Sequence, residues 1–156
     1  MPDLNSISLL DQLHAGFLKG DDDAASKQAE AQHVRLLQQM YQVIGQGEWQ
    51  KFAELLHDDI EFQIDCPPSL PMRGRWRGKT QVAEAVQRNF GMLEQQVPEI
   101  EAVVAQGDTV VVVGREQGNM RGGGSYSLRW MQMHTFRDGK LYRVYEMVTE
   151  STSCGS

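Results

Sequence analysis

The chain has 156 residues, about the size of a single domain. Hydrophobic residues make up 40% and charged residues 23% of the sequence, which excludes wholesale disorder, a collagen-like repeat and a coiled-coil rod. The formal net charge of −6 argues against a general affinity for nucleic-acid phosphates. Apolar runs such as Val110 to Val113 are strand-sized, far below the ~20 residues that a membrane helix needs. We therefore expect neither a nucleic-acid partner nor membrane insertion.

Cysteine and histidine usage argues against disulfides and metal sites. The sequence has two cysteines, of which Cys154 lies in a polar tail, so we expect a reduced, cytoplasmic setting. The first residues lack a basic leader and a small-residue cleavage site, so we expect no secretory signal. The four histidines lack the close spacing of zinc ligands, and we expect no metal and no cofactor.

The N-terminal part predicts a helical extension and a linker. In residues 1–19, the side chains of Leu9, Leu13 and Phe17 recur at helical spacing. An acidic Gly-Asp-Asp-Asp break at residues 20–23 follows and reads as a solvated linker. The predicted organisation is an extension with linker at 1–25, the main domain at 26–150 and a polar tail at 151–156.

Three further helices are predicted, each from apolar residues that recur on one face. The first covers Ser26 to Ile44 and has apolar residues around much of its circumference. The second is short, and the third begins after Gly78. Their apolar faces consist of Val34, Leu37, Tyr41 and Ile44 in the first, Trp49, Phe52 and Leu56 in the second, and Val82, Val86 and Phe90 in the third.

The predicted strands follow the period-two alternation of half-buried β-structure. After a predicted turn at residues 57–59, the first strand alternates Ile60, Phe62 and Ile64 with polar residues. A segment with three prolines, residues 66–71, is predicted to be irregular. Later strands, separated by glycine-containing turns, are predicted at 100–106, 109–119, 125–137 and 140–150. Helices precede antiparallel hairpins without β-α-β alternation, so the order predicts an α+β fold with a curved sheet against helices.

Two short motifs suggest a phosphate ligand, and neither is supported by its context. A phosphate loop ending in Gly78-Lys79-Thr80 needs a glycine where Arg73 stands. The basic segment at residues 73–79 is short and belongs to an acidic protein. We interpret both as parts of a loop that enters a helix.

The strand at residues 125–137 has large apolar side chains on both faces. One face carries Leu128, Trp130, Gln132, His134 and Phe136, and the other carries Arg129, Met131, Met133 and Thr135. Because helices cover only one face of such a sheet, the other apolar face needs a second cover. We predict homodimerisation through the outer face, at a patch formed by Met131, Met133, Tyr145 and Met147.

Three segments resemble the SnoaL-like branch of the nuclear transport factor two-like superfamily: residues 45–59, the Pro-Met-Arg-Gly-Arg-Trp-Arg-Gly loop at 71–78, and residues 135–141. The resemblance covers about residues 29–150. It implies a cone-shaped α+β barrel in which three helices wrap a strongly bent, mainly antiparallel sheet, here with an extra N-terminal helix. It also implies a deep apolar pocket and a dimer. Its members include ketosteroid isomerase, limonene-epoxide hydrolase and polyketide cyclases, so fold alone does not decide function.

The resemblance to ketosteroid isomerase does not extend to its catalytic groups. The position of its catalytic base falls on Ile64, and its tyrosine falls on Met40, next to Tyr41. Its acidic hydrogen-bond donor falls near Gln132. Since no base is present to remove a proton alpha to a carbonyl, the sequence disfavours this mechanism.

The resemblance to limonene-epoxide hydrolase is better at the C-terminal end and still incomplete. Residues 125–146 match without a gap, which places its proton-donating acid at Glu146. The resemblance also implies that its arginine corresponds to Arg115 and its water-activating aspartate to Gln117. An amide cannot act as a base at neutral pH, so hydrolysis by that mechanism is not expected. The groups that hold the water are replaced by Phe62 and Ile64.

The resemblance and the strand pattern together predict one interior pocket that binds a small hydrophobic molecule. The predicted catalytic groups are Glu146, His134 and Arg115, with Glu146 and His134 as an acid/base pair acting on a carbonyl or hydroxyl compound. The predicted chemistry is that of a metal-free isomerase, cyclase or hydrolase. The predicted ligand-binding residues are Tyr41, Phe62, Ile64, Gln117, Leu128, Trp130, Gln132 and Val148.

Two alternatives stay open. Arg115 and Glu146 would form a buried structural ion pair, with His134 an ordinary core histidine, if the domain is a non-catalytic ligand-sensing or dimerisation module. The face of Glu146 also depends on the last hairpin. A two-residue turn at 138–139 puts Glu146 opposite Met131 on the outer face, whereas a three-residue turn with a bulge puts it opposite Trp130, inside. The resemblance favours the inner placement.

Overall fold

The computed structural model of this protein describes residues 24–151. The predicted N-terminal helix and the polar tail from residue 152 onward lie outside the described residues. The elements in chain order are α1 (Ala24–Gly45), α2 (Trp49–Glu54), β1 (Leu56–Asp65), β2 (Gly74–Arg77), α3 (Lys79–Gly91), β3 (Leu93–Gln106), β4 (Thr109–Met120), β5 (Ser125–Arg137) and β6 (Lys140–Glu150).

The strands form one curved sheet with the order β2-β1-β6-β5-β4-β3. Only the pair of β1 with β6 is parallel, and the other neighbouring strands in the described range are antiparallel. The α+β prediction with a mainly antiparallel sheet is therefore confirmed. No helix of residues 24–151 is both long and apolar enough to cross a membrane.

The core lies between the helices and one face of the sheet, here called the inner face. Helix α1 buries Leu37, Met40 and Val43 against it, as the sequence pattern predicts. Helix α3 likewise buries Val82 and Val86. The sheet contributes inward side chains from every second position, and these include Val110, Val112, Leu128, Phe136, Leu141 and Val148.

The start of β1 differs from the prediction. Leu56 belongs to the strand rather than to α2, and it is fully buried. Residues 57–59 are part of β1 and not a turn. The register with β6 shifts between Leu56 and Glu61, so these residues lie in an irregular part of the strand. A bulge of this kind accommodates a polar His-Asp-Asp run without interrupting the strand. The three-proline segment at 66–71 is irregular, as predicted.

Strand β3 also begins earlier than predicted, at Leu93 rather than at Ile100. It is an edge strand of the described sheet, and most of its residues are exposed. Proline is tolerated at such an edge, where its missing N–H is not needed by a neighbour, so Pro98 does not break the strand. Its polar first half therefore forms β-structure without an apolar alternation.

The hairpin between β5 and β6 combines a two-residue turn with a bulge. Asp138 and Gly139 have φ angles of 54° and 73°, as in the mirror-image turns that close tight hairpins. Of the two alternative turns, the structure has the two-residue one. The register shifts just beyond the turn, between Thr135 and Phe136, because Tyr142 is an extra residue in β6.

This shift decides the face of Glu146. With the extra residue, Glu146 pairs with Gln132 on β5, rather than with Met131 or Trp130 as the two predicted turns would give. Direct partners in adjacent strands share a face, so Glu146 is on the inner face. The expected inner placement is confirmed, and its cause is the bulge at Tyr142.

We predict that Gly118→Ala destabilises the fold. A Cβ at Gly118 would overlap the Gln95 carbonyl oxygen of β3 and come within 2.6 Å of the Tyr126 hydroxyl. Because backbone must shift to relieve this overlap, the free energy of unfolding should fall by about 1–3 kcal/mol. The control is Gly124→Ala, where an added Cβ meets nothing within 4 Å. Urea unfolding followed by circular dichroism measures both variants, and equal stability of the two would contradict the prediction.

Candidate functional site

A cavity of about 500 Å³ lies between the inner face of the sheet and helices α1 and α3. The helices contribute Tyr41 from α1 and Val86, Asn89 and Phe90 from α3. Several predicted site residues line the cavity from these elements and the strands: Tyr41, Phe62, Ile64, Leu128, Trp130, Gln132, Glu146 and Val148.

Arg115 and Gln117 do not line the cavity, so their predicted placement is wrong. Both lie on the outer face of β4, since the inner positions of that strand are its buried ones. The Arg115 guanidinium donates to the Glu99 carboxylate at 3.0–3.1 Å, and the Arg115 side chain is 58% exposed. The alternative of a buried Arg115–Glu146 ion pair is therefore also wrong.

His134 lies on the inner face and is only 1% exposed, but it is not part of the cavity wall. Its Nδ1 is 3.2 Å from the Val110 carbonyl oxygen, which can only accept, so this nitrogen carries the proton. Burial lowers the pKa of His134 to about 4, and the bond to Val110 only partly opposes this. The imidazole is therefore neutral at pH 7 and is held by the backbone.

Glu146 is the ionisable group whose environment differs most clearly from water. It lies between Ile64 of β1 and Gln132 of β5, at the apolar end of the cavity. The pKa of the Glu146 carboxyl is raised to about 7, chiefly by burial, while a hydrogen bond from Gln132 opposes the rise and the negative charge of Glu116 adds to it. At neutral pH this carboxyl is therefore present in both protonation states.

Tyr41 and Gln132 connect helix α1 to this carboxyl. The Tyr41 hydroxyl donates to Gln132 Oε1 at 2.6 Å. Since the amide oxygen is engaged by Tyr41, the Gln132 amide nitrogen is the group that donates to Glu146. Burial and the charge of Glu146 both raise the pKa of the Tyr41 hydroxyl, so it stays protonated. The hydrogen bond from Tyr41 therefore fixes the orientation of the Gln132 amide.

A second carboxyl in the cavity, Glu116, was missed by the sequence reasoning. It is on the inner face of β4, only 8% exposed, and lines the cavity. Gln96 Nε2 donates to one of its oxygens at 2.9 Å and the Tyr126 hydroxyl donates to the other at 2.7 Å. Burial and, to a smaller degree, the hydrogen bond to Glu116 raise the pKa of Tyr126. The sequence did not show on which face of β4 Glu116 lies, because the four consecutive valines at Val110–Val113 have no alternation of apolar and polar residues.

Two donors in the cavity wall have no partner in the structure. They are Asn89 Nδ2 and Trp130 Nε1, both buried and both in the lining. Buried donors without acceptors are costly, so each marks a place where an acceptor atom would be stabilising. Among residues 24–151, no cluster of three or more His, Cys, Asp or Glu side chains is arranged to hold a metal ion.

Gly114 places the Trp130 indole. The two residues are direct partners on β4 and β5, and a Cβ at Gly114 would lie 2.6 Å from the indole ring and 2.9 Å from the Glu99 carbonyl oxygen. The indole ring therefore lies against the backbone at Gly114, where there is no Cβ. Any side chain at position 114 would push the indole into the cavity and reduce its volume.

Comparison with known proteins identifies the family. The sequence model of the SnoaL-like domain matches residues 37–144. A search of curated proteins gives no match. The match accounts for more than half of the chain and includes the cavity-lining residues other than Glu146 and Val148.

Solved structures with similar folds share less than a quarter of their residues with this chain. An NTF2-like protein from Burkholderia xenovorans is 23% identical, with a TM-score of 0.65 over 76% of this chain and 90% of that one. An NTF2-like protein from Anabaena variabilis is 22% identical, with a TM-score of 0.63 over 77% and 91% of the two chains. A protein from Kribbella flavida provisionally named a ketosteroid isomerase is 17% identical, with a TM-score of 0.61 over 81% and 84%.

At these identities the structural neighbours establish the fold alone, and they agree with the family match. The six-stranded curved sheet with three helices in residues 24–151 is the architecture that the resemblance implied. The chain belongs to the SnoaL-like domain family and has the NTF2-like fold.

Proposed function

We propose that the protein binds a small, mainly apolar molecule with a carbonyl or hydroxyl oxygen, and that Glu146 exchanges a proton with it. The observation that carries this proposal is the carboxyl of Glu146, which lines the cavity and whose pKa burial raises to about 7. A group with a pKa near the working pH is effective both as an acid and as a base.

The lining supports the chemistry of the ligand. Phe62, Ile64 and Val148 supply an apolar wall, and about 500 Å³ is within the usual range of small-molecule sites. Trp130 Nε1 and Asn89 Nδ2 supply unpaired donors for an oxygen of the ligand. A donor aimed at a carbonyl oxygen also stabilises the negative charge that develops there when a neighbouring proton is removed.

The proposed mechanism uses Glu146 alone as the acid/base group. His134 is outside the lining and neutral, and Arg115 pairs with Glu99 on the outer face, so neither takes part. In its ionised form Glu146 removes a proton next to the carbonyl, and the protonated form returns it at the same or another carbon. Gln132, held by Tyr41, keeps the carboxyl oriented.

A non-catalytic ligand-sensing module is the second candidate, and one feature favours it. The position of the ketosteroid isomerase base is occupied here by Ile64, and the water-activating position of limonene-epoxide hydrolase by the outward Gln117. If Glu146 only tunes ligand affinity, binding will occur without any proton exchange. The experiment below separates the two candidates.

We predict exchange of the alpha protons of cyclic ketones in deuterated water. The probe is 4-phenylcyclohexanone, with binding followed by thermal shift and tryptophan fluorescence, and exchange followed by proton NMR. The rate should rise with pH and level off above pH 7, because the ionised Glu146 is the base. Glu146→Gln should lower the rate at least about 100-fold while leaving the ketone bound.

The matched control is Glu94→Gln, which removes an exposed carboxyl of β3 that does not line the cavity. It should keep the wild-type exchange rate. Binding of the ketone without exchange would contradict catalysis and support the sensing module. Unchanged exchange in Glu146→Gln would contradict the role of Glu146.

We also propose that a second copy of the chain covers the outer face. Met131 and Met147 are direct partners on β5 and β6, and with Met133 they are about 40% exposed each. The Tyr145 hydroxyl donates to Asp65 at 2.6 Å, which leaves its ring at the edge of the patch. A contiguous apolar patch on an exposed sheet face suits a twofold, self-complementary contact.

We predict a dimer with a mass near twice the 17.6 kDa of the chain. Light scattering at micromolar concentration measures it. Met131→Lys places a charge within the patch and should give monomers, whereas Val103→Lys, on the opposite face of the edge strand β3, should not. A monomeric wild-type protein would rule out this contact.

A further inference from the structure

We infer that the natural ligand carries a protonated amine that binds Glu116, in addition to the oxygen that the proposed function requires. The inference rests on the proposed function for the site itself and names the chemical class of its ligand: a small apolar amine with a carbonyl or hydroxyl group. It follows from the charges in the cavity rather than from its shape.

The first step is the charge of Glu116. Its two oxygens each accept one hydrogen bond, from Gln96 and from Tyr126, and both donors are neutral. No Lys, Arg or His in the described part of the chain forms an ion pair with Glu116, although it is only 8% exposed. A buried carboxylate without a cation is costly, so a cation in the cavity would be strongly favoured.

The second step is the composition of the whole wall. Its described residues include two carboxyl groups, Glu116 and Glu146, and no basic side chain. Arg115, adjacent to Glu116 in sequence, and its cross-strand partner Arg129 face outward and bind Glu99 and Glu101. The interior therefore has an excess of negative charge, which favours a cationic ligand and disfavours a carboxylic acid.

The third step is the remaining capacity of the carboxylate. A carboxylate has about four acceptor sites, and two of those on Glu116 are used. An ammonium group donates three hydrogen bonds and fits the remaining sites. A hydroxyl donates only one and brings no charge, so it would leave the carboxylate without a counter-ion.

The fourth step is the position of the oxygen site relative to Glu116. On the inner face, Glu116 pairs with Leu128, and Trp130 pairs with Gly114, so Glu116 and Trp130 are diagonal neighbours. Such neighbours are roughly 7–8 Å apart at Cα, within reach of one small molecule. A ligand with its amine at Glu116 can therefore place an oxygen near Trp130 Nε1 and extend its apolar part toward Ile64.

The test compares a matched series on one scaffold: 4-phenylcyclohexylamine, 4-phenylcyclohexanol, 4-phenylcyclohexanone and 4-phenylcyclohexanecarboxylic acid. Binding is measured by calorimetry at pH 7 with the full chain. We expect the amine to bind at least about tenfold more tightly than the alcohol, and the acid to bind more weakly than either. A preference for the alcohol or the acid over the amine would overturn the inference.

Glu116→Gln assigns the effect to this residue, with Glu94→Gln as the control. We expect Glu116→Gln to lower the affinity for the amine by about tenfold or more, and by a clearly larger factor than the affinity for the ketone. Ketone binding also reports that the variant is folded. Equal loss for both ligands, or no loss for the amine, would overturn the inference. Failure of the ketone to bind the wild type contradicts the proposed function instead.

Discussion

One extra residue in β6, Tyr142, determines which side chains face the interior. Because side chains alternate along a strand, a shift of one residue exchanges the inner and outer faces. The bulge turns Glu146 inward beside Gln132 and Ile64, and it leaves Met147 outward beside Met131. The candidate acid/base group and the proposed dimer surface therefore depend on the same irregularity. A plain hairpin would place a carboxyl on the outer face and a methionine in the cavity.

The sheet separates its charges by face. On the outer face, carboxylates have cationic partners, as in the Glu101 pairs with Arg115 and Arg129. Exposed pairs of this kind contribute little to stability, but they keep the guanidinium groups out of the interior. On the inner face, Glu116 and Glu146 have only neutral donors among the described residues. Burial, with a smaller contribution from the charge of Glu116, raises the pKa of Glu146. The two interior carboxyls without cationic partners are the physical basis of both proposals about the ligand.

Much of the fold follows from the sequence, because amphipathic helices and alternating strands have strong periodicities. The helix around Leu37 and Val43 and the alternation of β5 around Trp130 are examples. The inner and outer faces of β4 cannot be assigned from the sequence. Four consecutive valines show no alternation, and polar residues occupy both faces after them. Two glycines could have indicated the inner face of β4. Gly114 and Gly118 lie on the same face as Glu116 and allow aromatic rings to approach the strand closely. The environment of His134 depends on a backbone carbonyl, which no sequence pattern specifies.

The proposed chemistry requires a carboxyl, Glu146, that is only half ionised at neutral pH in a mainly apolar cavity. The most direct measurement is a carbon-13 NMR titration of protein labelled at the glutamate side-chain carboxyls. The Glu146 signal is assigned as the one missing from the Glu146→Gln spectrum. We expect its midpoint near pH 7, well above those of the exposed glutamates. A midpoint near the ordinary value of about 4.5 would contradict the central claim, since Glu146 would then be a fully ionised, solvated group.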